Sequence, residues 1–129
     1  PDKLYFPVDT ENGKLTVEAQ QGDLNSLLSY TRKLTALRHS AKALDNEGDW
    51  KLLNRKGQEY PMVYERTLGE EEYVVVVNPG AKAASLNISS VGGKAVSVLF
   101  TGKVVYKSGR KTDVIKASGI SAAIFKVER

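Results

Sequence analysis

From Asp23 onward the chain follows a helical period: Leu27, Tyr30, Thr31, Leu34, Leu37 and Ala41 fall at the i, i+3, i+4, i+7 spacing that lines one helix face. This spacing predicts a helix from about Asn25 to His39, capped by Asp23 or Asn25. Arg32, Lys33 and Arg38 lie on its sides and in its last turn, where positive charge suits the helix dipole. Ahead of it, residues 1 to 22 hold an apolar pulse, Leu4-Tyr5-Phe6-Pro7-Val8, and then Leu15-Thr16-Val17, with no helical period; an extended, looping segment is expected there. After Leu44 short β-rich runs take over: Trp50 to Leu53, Tyr60 to Thr67, Glu72 to Asn78, Ala84 to Ile88, Ala95 to Phe100, Lys103 to Lys107, Thr112 to Lys116 and Ala122 to Val127. Turn residues separate nearly all of them, and Gly69-Glu70 suits a type II′ hairpin, because glycine takes positive φ cheaply at the first turn position. Val96, Val98 and Phe100 alternate with polar or small neighbours, so one face is buried. Tyr73-Val74-Val75-Val76-Val77 is apolar throughout, which predicts a central strand covered on both faces. The expected fold is mainly β: an antiparallel Greek-key β-sandwich of about eight strands preceded by one amphipathic α-helix.

Composition narrows the chemistry. The 129 residues with 41% hydrophobic content suit one globular domain with a real core. There is no cysteine and one histidine, His39, so disulfides, thiolate sites and multi-histidine metal sites are excluded. No run approaches the roughly 18 to 20 apolar residues needed to cross a bilayer. The chain is therefore read as soluble and without a membrane partner, its compartment left open between a cytoplasmic and an exported parent. It opens on Pro1 and a Pro/Asp-rich stretch, which reads as a cut inside a longer polypeptide. The net charge of +4 hides an asymmetry: residues 1 to 79 carry 10 basic and 13 acidic side chains, residues 80 to 129 carry 9 and 2. The lysines of the basic half are scattered singly through strands, where they discourage edge pairing. With no Arg cluster and no Gly-rich aromatic signature, no nucleic-acid partner is expected.

No catalytic constellation is visible. Retaining glycoside hydrolysis needs two carboxylates about 5 to 5.5 Å apart, and no such pair is recognisable. Glu70-Glu71-Glu72 is the densest acidic cluster and is expected to be a solvated hairpin tip. No Gly-x-Ser-x-Gly elbow accompanies His39, which ends a surface helix. Val91-Gly92-Gly93-Lys94 lacks phosphate-loop spacing and reads as a hairpin turn. Catalytic, cofactor-binding and metal residues are accordingly none. Core packing is the default for Tyr64, Tyr73 and Tyr106. Trp50, which follows the polar stretch Asp45-Asn46-Glu47-Gly48-Asp49, and Tyr60 are the candidates for stacking on a sugar ring.

Taken in order, these segments resemble the C-terminal end of the α-amylase family, glycoside hydrolase family 13. Leu4-Tyr5-Phe6-Pro7-Val8-Asp9 with Val17-Glu18-Ala19-Gln20 looks like the loop before the final barrel helix in the α-glucosidase, oligo-1,6-glucosidase and trehalose-synthase-like branch. Ser26-Leu27-Leu28, Leu34-Thr35-Ala36-Leu37-Arg38 and Ala43-Leu44 are similar to that helix and its exit. Gly48-Asp49-Trp50, Val63-Tyr64-Glu65-Arg66, Tyr73 to Pro79 and Ala123-Ile124-Phe125-Lys126-Val127 look like the first, second, third and last strands of the family's C-terminal domain. Lys42 departs from the pattern, standing where a helix-ending proline is common, and the family's catalytic Asp, Glu and Asp motifs are absent, so no catalytic role carries over.

The resemblance implies residues 1–44 as a loop and the last helix of a missing catalytic (β/α)₈ barrel, and residues 45–129 as a C-terminal β-sandwich. The parent would be a retaining enzyme acting on α-glucosidic bonds of maltooligosaccharides or related α-glucans. Its barrel would be this segment's partner, packed through Leu27, Tyr30, Leu34 and Leu37. Without that barrel, two copies are expected to pair through the same stripe as a homodimer. The alternative reading is a module with weak α-glucan binding, and a remote one is nucleic-acid binding through the basic half.

Overall fold

The computed structural model describes residues 16–129, so the apolar pulse from Leu4 to Val8 lies outside the described residues. The chain divides into two compact units, one through Leu37 and the other Arg38–Arg129.

The first unit is helical. Helix α1, Val17–Gln21, replaces the extended backbone expected at the end of residues 1 to 22. Thr16 starts it: its Oγ1 accepts the Ala19 N–H at 3.1 Å, and Glu18 sits in the first turn. Five residues are too few to show an apolar period. Helix α2 runs Leu27–Ser40, and its cap is Ser26 rather than Asp23 or Asn25. Ser26 Oγ accepts the Ser29 N–H at 3.2 Å, while the Asp23 carboxylate accepts the Asn25 N–H at 2.8 Å in a local turn. Gln20 Oε1 accepts the Leu28 N–H at 3.0 Å and so ties α1 to the start of α2.

The second unit opens with a 3-10 turn, Lys42–Leu44, followed by eight strands: β1 Asp49–Leu52, β2 Met62–Leu68, β3 Glu71–Asn78, β4 Ala84–Ser89, β5 Lys94–Thr101, β6 Val104–Lys107, β7 Thr112–Ala117 and β8 Ser121–Glu128. They form two antiparallel sheets, a larger one ordered β1-β2-β3-β8-β5 and a smaller one ordered β4-β7-β6. The chain passes between the sheets at β3–β4, β4–β5, β5–β6 and β7–β8. The Gly92-Gly93 segment is thus a crossover from one sheet to the other and not the expected hairpin turn. Gly69-Glu70 is the two-residue hairpin expected, with Gly69 at φ +59°.

Alternation decides the core. Val63, Val74, Val76, Leu86, Ile88, Ile115, Ala117, Ala123, Phe125 and Val127 form one buried cluster between the sheets. Phe125 and Tyr106 meet there, ring centroids 5.2 Å apart. On the opposite face of β3, Tyr73 and Val75 are buried as well. The 3-10 turn contacts β2 and β3 there, and the Ala43 N–H donates to Glu71 Oε2 at 3.0 Å. Asn78 holds the far end: its Nδ2 donates to the Lys82 and Ser118 carbonyls at 3.0 and 2.8 Å. Gly119 lets the β7–β8 turn approach, since a Cβ there would sit 2.1 Å from the Ala81 carbonyl oxygen.

Val76→Asp places a charge in the sealed interior and is expected to cost several kcal/mol, enough to unfold a marginal domain. The face of β5 expected to be buried is instead largely open, with Val98 and Phe100 exposed and Leu99 buried, because a bulge between Ser97 and Leu99 shifts the alternation; Val98→Asp should therefore shift the urea midpoint little. Equal midpoints for the two variants would refute the assignment of inner and outer faces.

Candidate functional site

Three places have unusual chemistry for a small sandwich. The first is α2, none of whose residues is buried. Leu27, Tyr30, Leu34 and Leu37 line one face by their spacing. Leu27 is 76% and Leu34 41% exposed, while Tyr30 and Leu37 are half-buried. Fully burying a leucine is worth roughly 1.5 to 3 kcal/mol, which Leu27 and Leu34 forgo in the exposed positions described.

The second place is the exposed end of the larger sheet. Trp50 lies on edge strand β1, 53% exposed, opposite Arg66 in the β1–β2 register, with Leu52 opposite Tyr64. All four therefore share the outer face, away from Val63. The Trp50 and Tyr64 rings lie 5.9 Å apart at 34°. Arg66 Nη2 donates to the Asp45 and Gly48 carbonyls and braces the loop that leads into Trp50. Burial raises the Tyr64 phenol above its ordinary pKa, with Arg66 opposing. Tyr60 is equally exposed but lies in the loop before β2; the ring beside Trp50 is Tyr64. Strand register would have pointed to Tyr64, but register cannot be read before strands are paired.

The third place is polar and interior. Asp113, fully buried on β7, accepts the Gly109 N–H at 2.9 Å, the Val91 N–H at 3.1 Å and the Tyr106 hydroxyl at 2.8 Å. Burial and this hydrogen bond to Asp113 push the Tyr106 phenol far above its ordinary pKa. Nearby, Glu72 is only 3% exposed and is paired with Arg129. The expected solvated acidic tip is thus corrected: only Glu70 is exposed at the turn, Glu71 holds the 3-10 turn, and Glu72 points inward. Period-two alternation along β3 is the cause, since Glu72 shares the face of Val74 and Val76. Glu65 lies one diagonal step away on β2, on the same face of the sheet. Among the described residues no group of three or more His, Asp or Glu side chains is placed to hold a metal, and no helix is long and apolar enough to cross a membrane.

No protein-family model matches this sequence, and no curated protein matches it in a sequence search. Solved structures do match in fold, and they are α-amylase family enzymes. The chain is similar to MutB, a trehalulose synthase, in a mutant complexed with the substrate sucrose: TM-score 0.78 and 21% identity, over 96% of this chain and 22% of that one. It is similar to the α-amylase of H. orenii, with TM-score 0.71 and 16% identity, over 96% of this chain and 25% of that one. An Anoxybacillus α-amylase matches with TM-score 0.66 and 22% identity, over 78% of this chain and 22% of that one. The chain thus spans about a quarter or less of the structures it matches.

Asp113→Ala strips three donors of their acceptor and is expected to cost roughly 3 kcal/mol or more, since each buried unpaired donor costs about 1 to 3. Tyr106→Phe, which leaves Asp113 its two backbone donors, should cost about 1 kcal/mol. Urea unfolding of both variants checks the order, and a Tyr106→Phe as costly as Asp113→Ala would show that the Tyr106 hydroxyl bond, and not the two backbone N–H bonds, makes Asp113 an anchor.

Proposed function

We propose that this chain is the non-catalytic C-terminal domain of an α-amylase-like glycoside hydrolase of family 13, and that it stabilises the parent's catalytic barrel. Residues 1–44 contribute the loop and last helix of that barrel, and residues 45–129 are the sandwich. The observation that carries this reading is the likeness over 96% of the chain to about a fifth of MutB and a quarter of an α-amylase. The exposed Leu27 and Leu34 on the face they share with Tyr30 and Leu37 support it, because a barrel neighbour would bury them. The parent acts on α-glucosidic bonds, as the sequence resemblance to the α-glucosidase and trehalose-synthase-like branch implies.

The 129-residue chain alone is expected to release no sugar from maltose, starch or an aryl α-glucoside. Supplied with a separately expressed barrel, it should raise that barrel's thermal midpoint and activity, and Leu27→Glu/Leu34→Glu should abolish the gain. Turnover by the chain alone, lost in a point variant of it, would overturn the reading.

A second reading, weak α-glucan binding, is favoured by one specific observation: Trp50 and Tyr64 form a half-open aromatic surface on an edge strand. Sugar C–H faces stack on such rings. Calorimetric titration with maltooligosaccharides should then show binding that Trp50→Ala removes; heats unchanged by the substitution would leave Trp50 a packing residue of the barrel contact.

A further inference from the structure

The smaller sheet turns a basic face outward. On β7 the buried side chains are Asp113, Ile115 and Ala117, so Lys116 points away from the core, flanked in register by Ser85 on β4 and Val105 on β6. Lys103 and Lys107 stand two residues either side of Val105, each one diagonal step from Lys116. Three exposed lysines thus surround one valine. The carboxylate of this sheet, Asp113, faces the interior and is committed to Val91, Gly109 and Tyr106. Among the described residues none of the three lysines has an ion-pair partner.

Protection of a sheet edge accounts for Lys107 on edge strand β6, but not for Lys116, because β7 is the middle strand. Neighbouring like charges on one sheet face repel, and an anion held between them reverses the sign. Lys103 and Lys116 border a shallow cleft of about 380 Å³, lined also by Ala84, Ser85, Val105 and Ser118. That volume suits a small ligand, whose sites run from about 300 to 1,000 Å³. One wall is fixed in advance: the Ser118 N–H donates to the Lys103 carbonyl at 2.8 Å, and the Lys103 N–H donates to Ser118 Oγ at 3.1 Å. Asn78 Nδ2 and Ser121 Oγ both donate to the Ser118 carbonyl, at 2.8 and 2.7 Å. The Ser85 hydroxyl has no hydrogen-bond partner among the described residues.

We propose that this cleft is a binding site for a phosphorylated sugar, in which Lys103 and Lys116 hold the phosphate monoester, Ala84 and Val105 carry the C–H face of the ring, and Ser85 meets a sugar hydroxyl. Lysine ammoniums bind phosphate as point charges. A phosphate monoester carries about −1.5 to −2 at pH 7, which answers two ammoniums, whereas a carboxylate answers one. Among the described residues no aromatic side chain lines the cleft, so a nucleobase finds no ring to stack on. The site lies wholly within the second unit and is independent of the reading of this chain as a barrel's companion.

Calorimetric titration of the 129-residue chain at low salt with glucose 6-phosphate, glucose, glucuronate and inorganic phosphate tests this. Glucose 6-phosphate should bind more tightly than inorganic phosphate or glucuronate, and glucose alone should give no heat. Lys103→Gln and Lys116→Gln should each weaken the binding by about tenfold, the loss of one charge-assisted hydrogen bond. Lys94→Gln, on β5 of the larger sheet, should leave it unchanged. Lowering the pH from about 7 to about 5 crosses the second phosphate ionisation near 6 and should weaken it as well. Exposed lysines are not needed for folding, so all three variants should keep a urea midpoint at or above that of the wild type. Added glucose 6-phosphate should raise the midpoint of the wild type and of Lys94→Gln, but not of the other two. The proposal is overturned by an absence of glucose 6-phosphate binding at millimolar concentration, by binding no tighter than that of inorganic phosphate or glucuronate, or by an equal loss in Lys94→Gln, which would mark a diffuse charge effect.

Discussion

A strand whose two faces are both apolar must be covered on both sides, and β3 is such a strand. Its inner residues, Val74 and Val76, are sealed by the smaller sheet. Its outer residues, Tyr73 and Val75, are buried too, although a two-sheet sandwich leaves outer faces to water by default. The cover on that side includes the chain that follows α2, with Ala41 and Ala43 buried and the Ala43 N–H bonded to Glu71. The path out of the helix is therefore set by β3. Insert or delete a residue between Ser40 and Asp45, and the Glu71 contact and the braces from Arg66 lose their register together.

The interior of the sandwich is not purely apolar, and its polar residues sit near strand ends, bonded to the loops at the rim. Each loop brings backbone groups to the rim of the core that no strand ladder can satisfy. Asp113, at one end of β7, accepts from the loops at Val91 and Gly109; Asn78, beside the other end, donates to carbonyls at Lys82 and Ser118. A carboxylate serves where donors converge and an amide where acceptors do. Glu72 and Arg129 repeat the arrangement at the Val91 loop.

Period and turn chemistry made most of this fold legible in advance. All eight strands fall within two residues of the runs read from alternation, and α2 within two of its spacing. These are the elements whose side chains repeat often enough for periodicity to be seen. What escaped has a common cause. Helix α1 is too short to repeat, and its origin lies in one threonine cap. The Gly92-Gly93 segment looks like any glycine turn, because whether a turn closes a hairpin or crosses between sheets depends on long-range pairing. The triplet Glu70-Glu71-Glu72 reads as uniform charge, yet strand geometry sends its three members to water, to a backbone N–H and to the interior. Tyr64 as the companion of Trp50 depends on the β1–β2 register, which a one-residue slip would have reversed.

Strand β8 sits between β3 and β5, in the body of the larger sheet, although it is the last of the eight in chain order. As the chain emerges from a ribosome, β2 and β3 can pair at once through their two-residue turn. Until residues 121–128 arrive, however, β3 and β5 both present unpaired edges, one of them the most apolar strand of the protein. Closing the sheet late, across such separations in sequence, is slow compared with local pairing. A growing chain of this kind spends the interval as a sticky half-sheet, and chaperone capture or a covering neighbour made earlier in synthesis would shield it during that time.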